Sequence, residues 1–284
     1  MRSGVEVDGI AGLARRAHAI LAPMLRSWLF RLLLAAVIAA GAVALLTGPP
    51  QRPLVSAHPI ADAAIGLLLT LALAAAHEFG HAVALVHYGG TPRRAGFGFY
   101  WGAISFYVDS SDALTLPRRA RVVQALAGLA VDVVTVCGVA ILAHVAPSVL
   151  LAGVFWRVAL LGATDIAVNL PPLLQLDGHW ALADYLDEPD LAARARAALG
   201  RLLRGGGTNH WWLQLYGAAS LTGGLALLLG SGYIWWIVVD DLLTSLFTGN
   251  LAEILVGVLL VGPTGIGLLL SMIGMISDAL PSRA

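Results

Sequence analysis

Residues 61–87 read ADAAIGLLLTLALAAAHEFGHAVALVH, an apolar run that carries two histidines and a glutamate near its end. A bilayer core of about 30 Å needs roughly 20 apolar residues in a helix, and this run is longer than that. We therefore expect a membrane-spanning helix here. Comparable apolar runs predict further spans at residues 28–47, 120–146, 148–169, 212–230 and 252–276.

The composition is that of an integral membrane protein. Of the 284 residues, 58% are hydrophobic and 12% are charged, whereas soluble domains carry about 45–50% apolar and about 25% charged residues. The formal net charge is zero. This balance argues against a nucleic-acid partner, because neutralising phosphates requires an excess of basic groups.

These patterns predict an all-α polytopic membrane protein with six or seven transmembrane helices. The uncertain span is 232–248, which Asp240 and Asp241 interrupt and which fits an interfacial helix equally well. Residues 1–27 form a cytoplasmic segment, either an interfacial helix or a frayed tail. A single transmembrane domain follows at 28–276, with its catalytic core at 60–205, and a tail closes the chain at 277–284.

Arginine placement predicts the orientation. Arginines cluster in residues 1–27, 88–121 and 186–210, whereas the connection at 48–60 holds only Arg52. Cytoplasmic loops carry the excess of basic residues. We therefore expect a multi-pass protein of the bacterial cytoplasmic membrane, with the N-terminus and the active-site end toward the cytoplasm.

The motif His77-Glu78-Phe79-Gly80-His81 is an HExxH. Histidines four residues apart project from one face of a helix, about 40° apart, and can share one zinc ion. The intervening Glu78 can contact a zinc-bound water, whose pKa falls to about 7, and act as its general base. Three ionisable side chains inside an apolar helix are costly, by roughly 2.5–3.5 kcal/mol for a central charge, which favours a functional site over a surface turn.

Two residues compete for the third ligand position. His87 has the spacing of the soluble HExxHxxGxxH pattern, but Ala84 occupies the glycine position, so no helix break turns the chain back. Asp177 follows Pro171 and Pro172, which end the preceding span. Irregular backbone at membrane depth is tolerated only where it is buried in protein or lines a polar cavity. We therefore favour Asp177, with His87 marking the helix end.

The HExxH motif, together with Asn169-Leu170-Pro171-Pro172-Leu173-Leu174-Gln175-Leu176-Asp177-Gly178, resembles the site-2 protease family of intramembrane metalloproteases. The resemblance implies one zinc per chain, held by His77, His81 and Asp177, with Glu78 as the general base. It implies a membrane-embedded or membrane-associated peptide as substrate. It also implies that Asn169 positions the substrate or stabilises the oxyanion.

A weaker match, Ala127-Gly128-Leu129-Ala130-Val131-Asp132, is similar to the family's AGPxxN/D segment, with leucine in place of proline. Asp132 is then either a structural aspartate or a residue that acts on the substrate. The stretches 105–113 and 178–191 resemble a bacterial subgroup, the peptide zinc metalloproteases. That subgroup processes secreted or ribosomally made peptides.

The segment Gly96–Val108 is rich in glycine and aromatic residues and favours a short re-entrant β hairpin. An edge strand beside the metal would hold an extended substrate by β-augmentation. We assign that strand to Gly102, Ala103, Ile104 and Ser105. An aromatic belt that anchors the loop in the interface explains the composition equally well.

The alternative function is a membrane transporter or metal carrier that uses the intramembrane histidines and acids. The sequence lacks an internal repeat of the kind that transporters show. It leaves open whether Arg157 and Asp165 pair with each other or with Asp132, or whether Arg157 reaches the membrane surface. It does not specify the substrate, the cleavage site or the oligomeric state.

Overall fold

The computed structural model describes residues 4–48, 58–100, 103–206, 210–248, 250–251, 254–255, 258, 269 and 273. Eight helices account for most of this part of the chain. They are α1 (Ile10–Arg26), α2 (Trp28–Thr47), α3 (Pro59–His87), α4 (Arg118–Val145), α5 (Val149–Asn169), α6 (Asp177–Leu186), α7 (Leu191–Leu203) and α8 (Trp211–Thr248). A 3₁₀ helix (Ser111–Thr115) and three short strands complete the described elements; the strands are β1 (Gly4–Val7), β2 (Ala95–Tyr100) and β3 (Ala103–Val108).

Five helices in the described ranges are long and apolar enough to cross a membrane: α2, α3, α4, α5 and the Trp211–Ile237 part of α8. The protein is therefore an all-α polytopic membrane protein in architecture, as predicted. Four predicted spans are confirmed to within two residues at each end. The predicted span at 252–276 and the tail at 277–284 lie outside the described residues, apart from isolated positions.

The sequence predicted that one span ends at residue 230 and that a separate segment begins at residue 232, and this prediction is wrong. Residues 211–248 form one continuous helix, α8, rather than a span followed by a separate segment. Gly230 and Gly232 each cost about 1 kcal/mol of helix propensity. A break in lipid would instead leave backbone N–H and C=O groups unpaired, at several kcal/mol each. The helix therefore continues through both glycines.

Helix α4 is the centre of the bundle and packs against α2, α3, α5 and α6. Its buried face is built mainly from small residues, so that neighbouring backbones come close. At the tightest point a Cβ on Gly41 of α2 would lie 2.3 Å from Cβ of Cys137. The cysteine is buried and free.

The predicted hairpin is present as β2 and β3, which pair antiparallel from Ala95 opposite Val108 to Tyr100 opposite Ala103. Strand β1 adds to the outer side of β2, with Gly4 opposite Gly98, and gives the order β1-β2-β3. The sequence prediction missed β1, because a four-residue strand forms only through its distant partner. Beyond β1, residues 10–26 form a helix rather than a frayed tail.

One ion pair inside the bundle has partners that the sequence did not suggest. Arg157 of α5 pairs with Asp62 in the first turn of α3, and both side chains are largely buried. The pairing ties the start of α3 to the middle of α5. The ion-pair partner of Arg157 is therefore Asp62, and not Asp165 or Asp132, the two residues that the sequence suggested.

Candidate metal centre

The segment between α5 and α6 brings a carboxylate back to the bundle. Helix α5 ends at Asn169, the two prolines prevent its continuation, and α6 begins at Asp177. The start of α6 lies directly against the end of α5. A Cβ on Gly178 would be 2.1 Å from the carbonyl oxygen of Leu170, so only glycine permits this approach.

Three side chains converge where this segment meets α3. The Nε2 atom of His77 lies 3.2 Å from Nε2 of His81. The Oδ2 atom of Asp177 lies 3.1 Å from the first of these nitrogens and 3.4 Å from the second. The structure thus brings together the three residues that the sequence predicted as ligands, and this group could hold a metal ion.

Each histidine is oriented through its other ring nitrogen. Nδ1 of His77 lies 2.6 Å from Oδ2 of Asp132, and Nδ1 of His81 lies 2.8 Å from the backbone carbonyl oxygen of Gln124. A carboxylate and a carbonyl only accept hydrogen bonds, so each Nδ1 donates its proton. Each neutral ring then presents an Nε2 lone pair, the arrangement found around metal-bound histidines.

The donor set fits a zinc ion. Four ligands at about 2.0–2.1 Å in a tetrahedron lie about 3.3–3.4 Å from one another, close to the three distances observed here. Burial raises the pKa of the Asp177 carboxyl, but when His77 and His81 are protonated, their hydrogen bonds and charges lower it by more. In that state the pKa lies well below its ordinary value. Two imidazole nitrogens and one carboxylate oxygen at these distances could hold a cation between them.

Asn169 orients the acidic ligand. Its amide nitrogen donates to Oδ2 of Asp177 over 3.2 Å, and its amide oxygen accepts from the Asp177 backbone N–H over 2.8 Å. The side chain is 8% exposed. These contacts position Asp177, whereas the predicted role on the substrate or the oxyanion stays a prediction. Asp132 likewise acts on His77, and its alternative role on a substrate stays a prediction.

Two glycines that the sequence reasoning did not assign to the site allow α3 to approach α4. A Cβ on Gly128 of α4 would lie 2.5 Å from Nε2 of His77 and 2.6 Å from Nε2 of His81. A Cβ on Gly80 would lie 2.8 Å from Val131. The absence of a side chain at Gly128 therefore leaves room beside the two Nε2 atoms. The sequence did carry a signal for Gly128, because this glycine belongs to the stretch from Ala127 to Asp132 that is similar to the AGPxxN/D segment.

Glu78 connects the centre to the hairpin. Its Oε2 accepts a hydrogen bond of 3.1 Å from the backbone N–H of Val108, the last residue of β3. Of the predicted substrate strand, Ala103, Ile104 and Ser105 belong to β3, while Gly102 lies outside the described residues. Strand β3, which contains these three residues, thus ends beside Glu78, the residue predicted to be the general base.

Helix α8 supports the irregular segment through side chains that the sequence analysis missed. The Tyr216 hydroxyl donates to the carbonyl oxygen of Pro172, and the Ser220 hydroxyl donates to that of Leu173. Nδ1 of His179 lies 2.7 Å from the Tyr216 oxygen. Burial, aided by the charge of Arg196, lowers the pKa of His179, which favours the neutral ring. These bonds satisfy carbonyl groups that the broken helix leaves unpaired.

An ion pair holds the far end of α6 against α4. Arg121 donates to Asp184 over 2.6 Å and to Asp187 over 2.8 Å. Because Asp177 begins this helix, the pairing limits how α6 can tilt away from the two histidines. The sequence alone does not predict this contact, because Arg121 is 63 residues from Asp184 and 66 residues from Asp187 along the chain.

His87 lies away from the three ligands. Its Nδ1 is 3.0 Å from Nε2 of His18 on α1, and it is exposed at the end of α3. The structure therefore agrees with the choice of Asp177 over His87. Asp165 of α5 makes no hydrogen bond to either histidine in the described part of the chain, but its charge acts on His77, Asp132 and Asp177.

The chain was compared with known proteins in three ways. It matches no protein-family model, no curated protein and no solved structure.

Proposed function

We propose that this protein is a zinc-dependent metalloendopeptidase of the site-2 protease type that cleaves a membrane-embedded or membrane-associated peptide. The observation that carries the proposal is the triangle of His77 Nε2, His81 Nε2 and Asp177 Oδ2, with edges of 3.1–3.4 Å. Glu78 adjoins it on the same helix without being part of it. A glutamate between two histidine ligands is the arrangement of HExxH peptidases.

The roles of the residues follow from their positions. His77, His81 and Asp177 would hold the ion, while Asp132, the Gln124 carbonyl and Asn169 keep these three ligands oriented. A zinc ion held there would act as a Lewis acid and lower the pKa of water bound to it. Glu78 would take the proton from the attacking water and pass it to the leaving amine.

The hairpin supports a substrate held in extended form. In the order β1-β2-β3, strand β1 covers one side of β2, while β3 is the outer strand that reaches Glu78 through Val108. An extended peptide could add to β3 by backbone hydrogen bonds, as in β-augmentation. Such a peptide would pass beside the general base. The arginine distribution supports a cytoplasmic position for this end of the bundle.

The test uses the purified full chain in lipid nanodiscs and its Glu78→Gln variant. We expect about one zinc in each, because Glu78 is not a ligand. We expect hydrolysis of a fluorogenic peptide library by wild type alone, with a loss of about 10²–10⁴-fold in the variant. Glu188→Gln is a matched control, since Glu188 pairs with Arg194 away from the centre. It should cleave like wild type.

Two outcomes would overturn the proposal. One is equal cleavage by wild type and Glu78→Gln. The other is zinc uptake into vesicles that depends on Glu78 while every peptide offered keeps its length. The second outcome would establish the transporter or metal-carrier alternative.

A further inference from the structure

Helix α1 has two apolar sides, and only one of them is covered by protein. Ala14 is completely buried where α1 packs against α3. Leu13, Ile20 and Met24 are 56%, 63% and 39% exposed. At about 100° per residue, Ile20 and Met24 lie about 20° to either side of Leu13. The three side chains therefore form one exposed stripe.

The charges of α1 are all positive. Arg15, Arg16 and Arg26 are exposed, and α1 contains no acidic residue. No carboxylate of the described residues forms an ion pair with any of these three arginines, whereas Arg93, Arg94, Arg121, Arg157 and Arg194 all have such partners. Their charges are therefore free to attract an anionic surface outside the described part of the chain.

The connection to α2 fixes the depth of α1. A single extended residue, Ser27, separates α1 from the membrane-spanning α2. The first residue of α2 is Trp28, which is 70% exposed, and tryptophan at the end of a span is typical of the membrane–water interface. Because only Ser27 separates the end of α1 from Trp28, and His18 in the middle of α1 contacts His87 at the end of α3, the stripe lies where lipid headgroups meet acyl chains.

We propose that α1 is an interfacial helix that binds a bilayer surface containing anionic lipids. Leu13, Ile20 and Met24 enter the acyl-chain boundary, and the three arginines attract the anionic headgroups. Arg15 and Arg26 lie about 140–160° from the stripe and Arg16 about 60° from it, which is the amphipathic pattern of such helices. Surface potential acts on all three, since each lies within about one Debye length of the headgroups.

The first experiment locates the stripe in the full-length protein. Cys137→Ala removes the one native cysteine, and Ile20→Cys or Ala19→Cys then accepts a bimane label in nanodiscs that contain phosphatidylglycerol. Ala19 is a matched control, because it is exposed and lies about 120° from Leu13 on the polar side. We expect doxyl lipids to quench the Ile20 label several-fold more than the Ala19 label, and iodide to do the reverse. Equal iodide quenching at both sites would overturn the proposal.

The second experiment tests the headgroup chemistry. At equal mole fraction, doxyl-phosphatidylglycerol should quench the Ile20 label more strongly than doxyl-phosphatidylcholine. The combined Arg15→Gln, Arg16→Gln and Arg26→Gln variant should lose this preference, with an expected contribution of about fivefold per arginine. Equal quenching by the two lipids in wild type would overturn the anionic part of the proposal. Neither measurement depends on the metal centre or on proteolysis.

Discussion

Nδ1 of His77 on α3 lies 2.6 Å from Oδ2 of Asp132 on α4. This hydrogen bond sets the orientation of the His77 ring and directs its Nε2 toward His81 and Asp177. A second contact from α4, the Gln124 carbonyl, does the same for His81. The candidate centre therefore depends on how α3 packs on α4 as much as on the HExxH motif itself.

Replacing Asp132 should weaken metal binding without removing a ligand. In Asp132→Asn a neutral amide replaces the carboxylate, and we expect zinc affinity to fall about 10–100-fold, as for other partners of metal-bound histidines. Competition against a fluorescent chelator measures this change. Asp190→Asn is the control, because Asp190 is exposed before α7 and its side chain makes no capping hydrogen bond. An Asp132→Asn protein with wild-type affinity would contradict the assigned role.

Gly128 offers a sharper test of the packing. In Gly128→Ala the new methyl group would lie 2.5–2.6 Å from the two Nε2 atoms, so the histidines must move and zinc binding should be lost. Gly138→Ala, on the same helix, places a methyl group in open space. The control should keep its zinc and gain about 0.5–1 kcal/mol in helix stability. Zinc content and thermal unfolding of the two variants provide the comparison, and equal zinc content would refute the close approach.

The sequence predicted the three residues that come together because each belongs to a motif that can be recognised locally. His77 and His81 are one helical turn apart, and Asp177 follows a proline break that is readable without tertiary information. The four confirmed spans follow from length and hydropathy alone. Each of these features is formed by residues that are close together in the sequence, so it can be recognised without knowing the fold.

The parts that the sequence did not reveal depend on distant contacts. Strand β1 exists because it pairs with β2 about 90 residues later, a separation that the registers make explicit. Arg157 finds Asp62 on another helix, and Tyr216 reaches Pro172 across the bundle. Each contact follows from the arrangement of helices, which hydropathy does not specify. The unbroken α8 shows the same limit, because the lipid environment outweighs the local cost of two glycines.

Removing the Tyr216 hydroxyl should loosen the acidic ligand. Tyr216→Phe deletes the donor to Pro172 and the partner of His179, and the unpaired carbonyl should cost about 1–3 kcal/mol of stability. We expect a lower unfolding temperature and zinc affinity reduced by up to about tenfold. Thr222→Ala is the matched control, since Thr222 is exposed and its hydroxyl donates to Ala218 within α8. If both variants bind zinc equally well, α8 does not support the Asp177 segment.

The identity of the third ligand is decided by comparing Asp177→Ala with His87→Ala. Asp177→Ala removes the carboxylate oxygen that lies near both Nε2 atoms and leaves only two imidazoles, so zinc per chain should fall sharply. His87→Ala should retain about one zinc per chain, as expected of a single closed donor set, because His87 contacts His18 instead. Inductively coupled plasma mass spectrometry of protein purified without chelators measures both. Zinc loss in His87→Ala with retention in Asp177→Ala would mean that α3 alone supplies the ligands, and the convergence of α6 on α3 would then serve another purpose.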